Sequence, residues 1–432
     1  MTNLQKRIPD ARIEESSEIH ALGNNGKTVV YPESEQDIAE VLMFANDNNL
    51  KVGIGGSGSK RGFGGTEENS DIFLSLKQFK GIVEHSLGDM TMTVKPGTTM
   101  KEINEYLSGH KQKLSADPRW PEYATIGGVI AANDSGPKRL KYGSARDYVI
   151  GLRIVYPNGK VIRTGGKVVK NVAGYDMNKL FIGSMGTLGV ISEVTLKLRP
   201  IPKYQSIILI SFSEQSFKKA PDYVKQLHDS TLEPVSMELL NPELAIATGG
   251  KARHTLAVSF EDVEEAVRYQ AEWLKNNRPS GTELQVLSGE DAEAWWNDFA
   301  KIPPAGCLED DNEVLSVKIG SKNADVFPLV SASEEFAARH LLNVKVHGGT
   351  GHGISRVYAS GNPENFIPFL KELRAEAESR GGYAIADHMP LAQRKELDIW
   401  GGNITYRPLL EGIKKSIDPN SILNHKRFAG GL

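Results

Sequence analysis

Hydrophobic and polar positions change rhythm several times along this chain. Residues 28–31 read as a short strand. Ser34 with Asp37 three positions later forms a capping-box pattern. Ile38, Val41, Leu42 and Ala45 then recur at helical spacing, which predicts a helix within 34–50. Strands are predicted over 51–54 and 71–76, separated by a loop with seven glycines in the thirteen positions from Gly53 to Gly65. Farther on, Val190, Ser192, Val194 and Leu196 alternate with Ile191, Glu193, Thr195 and Lys197, a strand pattern entered from a glycine turn. Beyond 204, strand-like runs (YQSIILISF, HTLAVSF, EVLSVKIG, NVKVHG, ISRVYAS) alternate with amphipathic ones (FKKAPDYVKQLHD, VEEAVRYQAEWLKNN, NADVFPLVSASEEFAARHLL, PENFIPFLKELRAEAESR). The predicted class is α+β, in layers with one open helical face.

The loop contains GIGGSG, Gly53 to Gly58, which satisfies the G-x-G-x-x-G dinucleotide fingerprint. Its surroundings do not. A Rossmann site needs a helix opening at the last glycine and an acidic residue about twenty positions on. Here a polar, glycine-broken stretch follows, and the twentieth position is Gln78. The Walker A pattern fails as well, because Lys60 does not follow the last glycine of a G-x-x-x-x-G pair. A loop between two strands either is plain surface or binds pyrophosphate through a nest of backbone N–H groups, for which glycine permits positive φ. Two further small-residue stretches, TIGGVIAANDSGPKRLKYG (125–143) and GSMGTLG (183–189), favour one extended cofactor lying along all three.

Composition adds limits. A chain of 432 residues predicts two or three domains. With 39% hydrophobic and 24% charged residues it reads as globular and soluble. A net charge of -3 argues against nucleic acid as a partner. The single cysteine, Cys307, excludes an internal disulfide framework or a cysteine-ligated cluster and suggests a reducing compartment. Residues 1–20 lack the apolar core of a signal peptide, and no apolar run reaches transmembrane length.

The stretches VVYPESEQDIAEVLMFANDNNLKVGIGGSGSK, IGGVIAANDSGPKRLKYGSARDYVIGLRIVYPNGKVIRTGGKVVKNVAGYD and GTLGVISEVTLKL resemble the FAD-binding domain shared by p-cresol methylhydroxylase and vanillyl-alcohol oxidase. SGPKR, YGSARDYVIG and KNVAGYD are most similar to the FAD-binding subunits of glycolate oxidases. The C-terminal IKKSIDPNSILNHKR resembles the family's closing helix and its Asp-Pro…Leu-Asn signature. The resemblance implies an N-terminal segment (1–22), an FAD-binding domain of two subdomains (23–202), an α+β cap or substrate domain (203–380) and a C-terminal segment returning to the FAD domain (381–432).

It also implies roles. Gly55, Gly56, Ser57, Gly58 and Ser59 would cradle the FAD pyrophosphate. Gly127 and Gly128 would pass beside the diphosphate and flavin, and Ser135 and Gly136 would lie along the ring system. Gly189, Val190 and Ile191 would give backbone contacts near the adenine. Asn171, Gly174, Tyr175 and Asp176, in KNVAGYD, would sit near the cofactor in a role the motif does not disclose. Lys60, Arg61, Lys138, Arg139 and Arg146 are either phosphate-balancing or surface residues. Covalent attachment in this family needs a His or Cys at the loops. The first loop offers Ser57 and Ser59, and Cys307 is far along the chain, so noncovalent FAD is expected.

A flavin dehydrogenase acting on a 2-hydroxy acid needs a base for the hydroxyl proton and a cation for the carboxylate, while the flavin takes the hydride. The candidates are His347, His388 and Arg356, with His352 as a further histidine. Metal-dependent relatives carry two histidines seven apart; His347 and His352 are five apart, on opposite faces of an extended segment. The relatives' Glu-His-Gly is also absent, and no metal is expected. The expected function is an FAD subunit of a glycolate-like 2-hydroxy acid oxidase or dehydrogenase, with a small 2-hydroxy acid as substrate. A second flavin subunit and an iron–sulfur subunit are the implied partners, and the isolated chain is expected to turn over poorly. The alternative is an accessory FAD-binding, electron-transfer or assembly component without its own turnover. A cytoplasmic location is expected, with any membrane attachment made through partner subunits.

Overall fold

The computed structural model of this chain describes residues 2–16, 20–166, 175–308, 313–402 and 404–432. Its first sheet is mostly parallel. Asn25–Tyr31 and Val52–Gly55 flank Asn69–Ser75 and both run parallel to it, while Arg12–Glu15 adds an antiparallel edge. The helix Glu35–Asp47 makes the crossover. Its capping box forms as the sequence predicts. The Asp37 N–H donates to Ser34 Oγ (3.1 Å), and the Asp37 carboxylate accepts from the Ser34 N–H (2.9 Å). Ile38, Val41, Leu42 and Ala45 pack on Val30, Val52, Ile72 and Leu74.

The second sheet is antiparallel, in the order Ile82–Ser86, Thr91–Val94, Val190–Lys197, Val149–Val155, Val161–Gly165. The small-residue stretch 125–143 is helical in two places. It folds as the helix Ile126–Ala132 and, after a turn, the short helix Arg139–Tyr142. Ile126, Val129 and Ile130 enter the core beneath the second sheet, so glycine and alanine are left for the other side.

The third sheet is antiparallel with eight strands: Thr282–Ser288, Tyr204–Phe212, Thr255–Asp262, Ser236–Leu240, Asn343–Gly349, Ile354–Ser360, Val314–Gly320, Tyr383–His388. Alternation gives it two apolar faces. Ile208, Ile210, Val258 and Phe260 meet the helices Ala220–His228, Glu264–Asn277, Val326–Arg339 and Phe366–Ser379. Ile207, Leu209 and Ala257 meet Trp295 and Phe299 of the helix Glu290–Ala300. Ser236–Leu240 was invisible to periodicity. Its sequence, SMELL, mixes helix formers, but all five positions are buried mid-sheet, and burial overrides local propensity.

The chain end returns to the first sheet. Leu423 bridges Val52, and Ile422 and Leu423 join the core of that sheet. The Asp-Pro…Leu-Asn signature has a physical basis. Buried Asp418 accepts from the Ile422 and Leu423 N–H groups (3.0 and 2.9 Å) and pairs with Lys414 (2.6 Å). The Asn424 side chain accepts from the Ile54 N–H (2.8 Å) and donates to the Met185 carbonyl (2.7 Å), tying the strand before the glycine loop to the glycine turn before Val190.

Candidate active site

A narrow cleft of about 100 Å³ starts where Val52–Gly55 ends. Gly55, Gly56, Ser57, Gly58 and Ser59 form one wall, and Gly127, Gly128, Ala131 and Ala132 form the facing wall. A Cβ on Gly56 would collide with Thr125 Oγ1, and Gly58 takes a φ of +90°. The Ser57, Gly58 and Ser59 N–H groups donate to no acceptor among the described residues, as a phosphate nest requires. The Ser57 hydroxyl itself donates to the Tyr123 carbonyl. Gly189 and Ile191 line the same cleft; the Val190 side chain turns away into the core of the first sheet. Three stretches distant in sequence thus meet along one groove, glycine-rich on two walls and completed by larger side chains such as Phe73, Met185 and Arg427.

One expectation changes here. Cys307 is distant only along the chain: a Cβ on Gly58 would lie 3.9 Å from Cys307 Cβ, because 303–308 folds over the glycine loop. Of KNVAGYD, only Tyr175 and Asp176 are among the described residues; Asn171 and Gly174 lie outside them. Tyr175 is 95% exposed, and Asp176 accepts from the Asn178 N–H (3.1 Å).

Between the segment 100–142 and the eight-stranded sheet lies a larger cavity of about 530 Å³. Asp117, Arg119, Asp134, Ser135 and Gly136 line it from one side, and Trp296, Phe299, His347, Arg356 and Tyr358 from the other. Asp117 organises the Ser135–Gly136 turn by accepting from the Gly136 and Lys138 N–H groups (3.0 and 2.7 Å). Burial nevertheless pushes its carboxyl up to about 6.

The strand pair Asn343–Gly349 and Ile354–Ser360 sets His347 opposite Arg356, with Tyr358 two residues on and so on the same face as Arg356. His347 and His352 do not diverge as an extended segment would have them. Residues 349–353 turn the chain, and both rings reach buried Glu238, His347 Nδ1 at 2.7 Å and His352 Nε2 at 3.2 Å. Burial pushes the Glu238 carboxyl up, but the hydrogen bond from His347 and the nearness of both imidazoles outweigh it and hold it low. Burial holds His347 below its ordinary value against the pull of Glu238. His388 is elsewhere. It is buried against the glycine loop, where a Cβ on Gly62 would lie 2.5 Å from its Nδ1, and it does not line the cavity.

Arg356 is committed: it bonds Asp387 and, at 2.8 Å, Asp134. Asp134 also pairs with Lys60 (2.6 Å), and Ser316 donates to Asp387 (2.5 Å). Burial pushes both aspartates up, yet the surrounding cations hold both well below the usual range, Asp387 at about 2. Lys60 and Lys138, each either phosphate-balancing or surface by sequence, are taken by Asp134 and by Glu261 (2.7 Å). Arg119 differs. Its guanidinium lies 4.9 Å from the centre of the Tyr358 ring and 3.6 Å from Asp387, but its Nε and Nη1 are buried without a partner among the described residues. Sequence reasoning missed Arg119, Glu238 and Tyr358. Only Tyr358 carried a signal, its two-residue spacing from Arg356.

Residues 27–165 match the FAD binding domain family. The fold matches 4-ethylphenol oxidase from Gulosibacter chungangensis with a TM-score of 0.77 at 14% identity, over 99% of this chain and 97% of that one. It matches p-cresol methylhydroxylase with a TM-score of 0.74 at 16% identity, over 97% and 91%. Residues 27–165 thus form an FAD-binding domain, and the chain as a whole has the fold of the p-cresol methylhydroxylase-type flavoproteins. In sequence it is 26% identical to glycolate oxidase subunit GlcD of Bacillus subtilis, over 93% of this chain and 88% of GlcD. It is 26% identical to a D-lactate dehydrogenase of Archaeoglobus fulgidus, over 92% and 90%. Glycolate oxidase subunit GlcE of Escherichia coli is 37% identical over 39% of this chain and 48% of GlcE. FAD is therefore the cofactor of this flavoprotein, and the glycine-rich walls of the narrow cleft, with their unpaired backbone N–H groups, fit it.

Proposed function

We propose that this flavoprotein oxidises a small 2-hydroxy acid to the 2-oxo acid as one subunit of a larger assembly. One observation carries the reading: beside the cofactor cleft lies a cavity lined by both a buried guanidinium with unpartnered nitrogens and a buried histidine fixed by a carboxylate. The names of the relatives that match along the whole chain support it, glycolate oxidase subunit and D-lactate dehydrogenase.

Gly55 to Ser59, Gly127 and Gly128 would hold the FAD pyrophosphate, Gly189, Val190 and Ile191 the adenine side, and Ser135 and Gly136 the ring system. No covalent link is needed. Bound FAD supplies the acceptor for a hydride equivalent. Arg119 suits the substrate carboxylate better than Arg356, whose donors are already taken by Asp134 and Asp387. His347, held by Glu238, supplies the proton acceptor. His388, away from the cavity, takes no part in this reading.

Similarity to both GlcD and GlcE supports a multi-subunit oxidase. A single cysteine cannot ligate a cluster, so an iron–sulfur partner, beside a second flavin subunit, would take the electrons onward. No helix among the described residues is long and apolar enough to cross a membrane. We place the chain in the cytoplasm, with any membrane contact made by partners. The test is anaerobic mixing of the purified, FAD-loaded chain with glycolate and with D-lactate. Bleaching of the flavin is expected. A flavin left oxidised by both, and by other short 2-hydroxy acids, overturns the reading. Steady-state dye reduction is expected to be slow for the isolated chain and to rise on adding partner subunits.

A further inference from the structure

We propose that Tyr358 is the catalytic residue that takes the hydroxyl proton of the bound acid, passing its own phenolic proton to His347, while Glu238 acts as a positioning residue. This rests on the reading of the cavity as a 2-hydroxy acid site.

The reason lies in what His347 already touches. It is 5% exposed, and both ring nitrogens are engaged. Nδ1 lies 2.7 Å from Glu238 Oε2, and Nε2 lies 3.2 Å from the Tyr358 hydroxyl. An ionised carboxylate only accepts, so the ring proton sits on Nδ1. Nε2 is left with a lone pair, which accepts from the Tyr358 O–H. The nitrogen that would act as base is thus covered by a phenol. Tyr358, not the imidazole edge, offers the exchangeable proton in the cavity, and the Arg119 guanidinium lies over its ring, 4.9 Å from the centre.

The step balances. The substrate C–H bond breaks and its hydride equivalent reduces FAD. The substrate O–H bond breaks and its proton goes to Tyr358 Oη. The Tyr358 O–H bond breaks and that proton goes to His347 Nε2, while the substrate C–O bond becomes C=O. An external acceptor, an iron–sulfur protein or a dye, would take the two electrons from the bound cofactor, and the imidazolium returns its proton through Tyr358. Charged groups on every side suit this traffic. Glu238 faces the imidazolium from Ser236–Leu240, with His352 on its other oxygen. Arg119 and Arg356 face the phenol, with Asp387 and Asp134 behind them. Burial keeps His347 neutral and able to accept; burial also raises the phenol, against the pull of the two arginines.

The holoprotein tests this in two ways. Reduction of its flavin by glycolate or D-lactate, followed anaerobically by stopped flow, is expected to fall about 100-fold or more in Tyr358→Phe at unchanged flavin content. In His347→Gln the phenol loses its acceptor, so reduction should survive only where Tyr358 is ionised, and the pH profile should move to the alkaline side. Glu238→Gln should lower the rate less and shift the same profile. Reduction of the wild type but a Tyr358→Phe rate within threefold of it overturns the relay and leaves the functional reading standing. An unshifted profile in His347→Gln does the same. No reduction of the wild type by any short 2-hydroxy acid removes both. Independently of turnover, ¹⁵N-histidine spectra should place the His347 proton on Nδ1 and show the Nε2 resonance moving in Tyr358→Phe; a proton on Nε2 in the wild type overturns the relay.

Discussion

Along the narrow cleft two walls are mainly backbone, with Gly55, Gly56 and Gly58 facing Gly127 and Gly128. Around the larger cavity the walls are buried charge: Arg356 between Asp134 and Asp387, Arg119 over Tyr358, His347 on Glu238. A surface of N–H groups and small residues suits a long, phosphate-bearing cofactor whatever is done to it. A surface of paired charges suits a reaction, because each buried charge needs a partner and an unfinished pairing marks where a ligand belongs. The first region should therefore fail through lost space, the second through lost pairing.

The largest effect is expected at Gly56. Valine there would meet Thr125 Oγ1, so Gly56→Val should abolish FAD binding while the sheets persist. Flavin content alongside circular dichroism checks it, and full occupancy would mean that the two walls are not the cofactor site. Next comes Arg356→Met, which leaves Asp134 and Asp387 buried without their shared cation. It should destabilise the protein by about 3–5 kcal/mol, read as a fall in Tm. The pH dependence has a fixed sign. Both aspartates are held below their ordinary values, so they add stability that is full above about 4 and is lost as pH falls toward 2. Arg356→Met should begin acid unfolding at higher pH than the wild type; coincident acid transitions would show that the network adds nothing.

A smaller effect is expected at Arg119. Arg119→Met should raise KM for the acid about 10-fold or more, with flavin content unchanged, since a charge-assisted pair contributes about 1.5–3 kcal/mol. An unchanged KM would move the carboxylate site elsewhere. Smallest is Cys307→Ser. Although Cys307 lies against the glycine loop, the flavin is expected to be noncovalent, so acid precipitation should release yellow cofactor from wild type and variant alike. Colour held in the wild-type pellet but released from the variant would show a covalent thiol link.

These two regions were unequally legible in the chain. The capping box at Ser34, the crossover helix, the glycine loop and the alternating strand from Val190 could all be read, because hydrogen bonding and side-chain alternation at those places are decided by neighbours a few residues apart. The motifs there also carried the resemblance to an FAD-binding family, since a loop that must approach a phosphate closely tolerates few residue types. The charged cavity was not legible in that way. Arg119, Glu238 and Tyr358 come from three separate segments, and nothing local distinguishes Glu238 in SMELL from a solvated glutamate. His347 and His352 looked divergent because spacing alone cannot disclose that 349–353 turns. Cys307 looked remote for the same reason, until folding set it beside Gly58. The sequence by itself determined the backbone cradle, whose interactions are local and whose glycines cannot be replaced. Only the tertiary structure decided the pairing of buried charges, because that depends on which strands become neighbours in the eight-stranded sheet and on which side chains are thereby taken out of water.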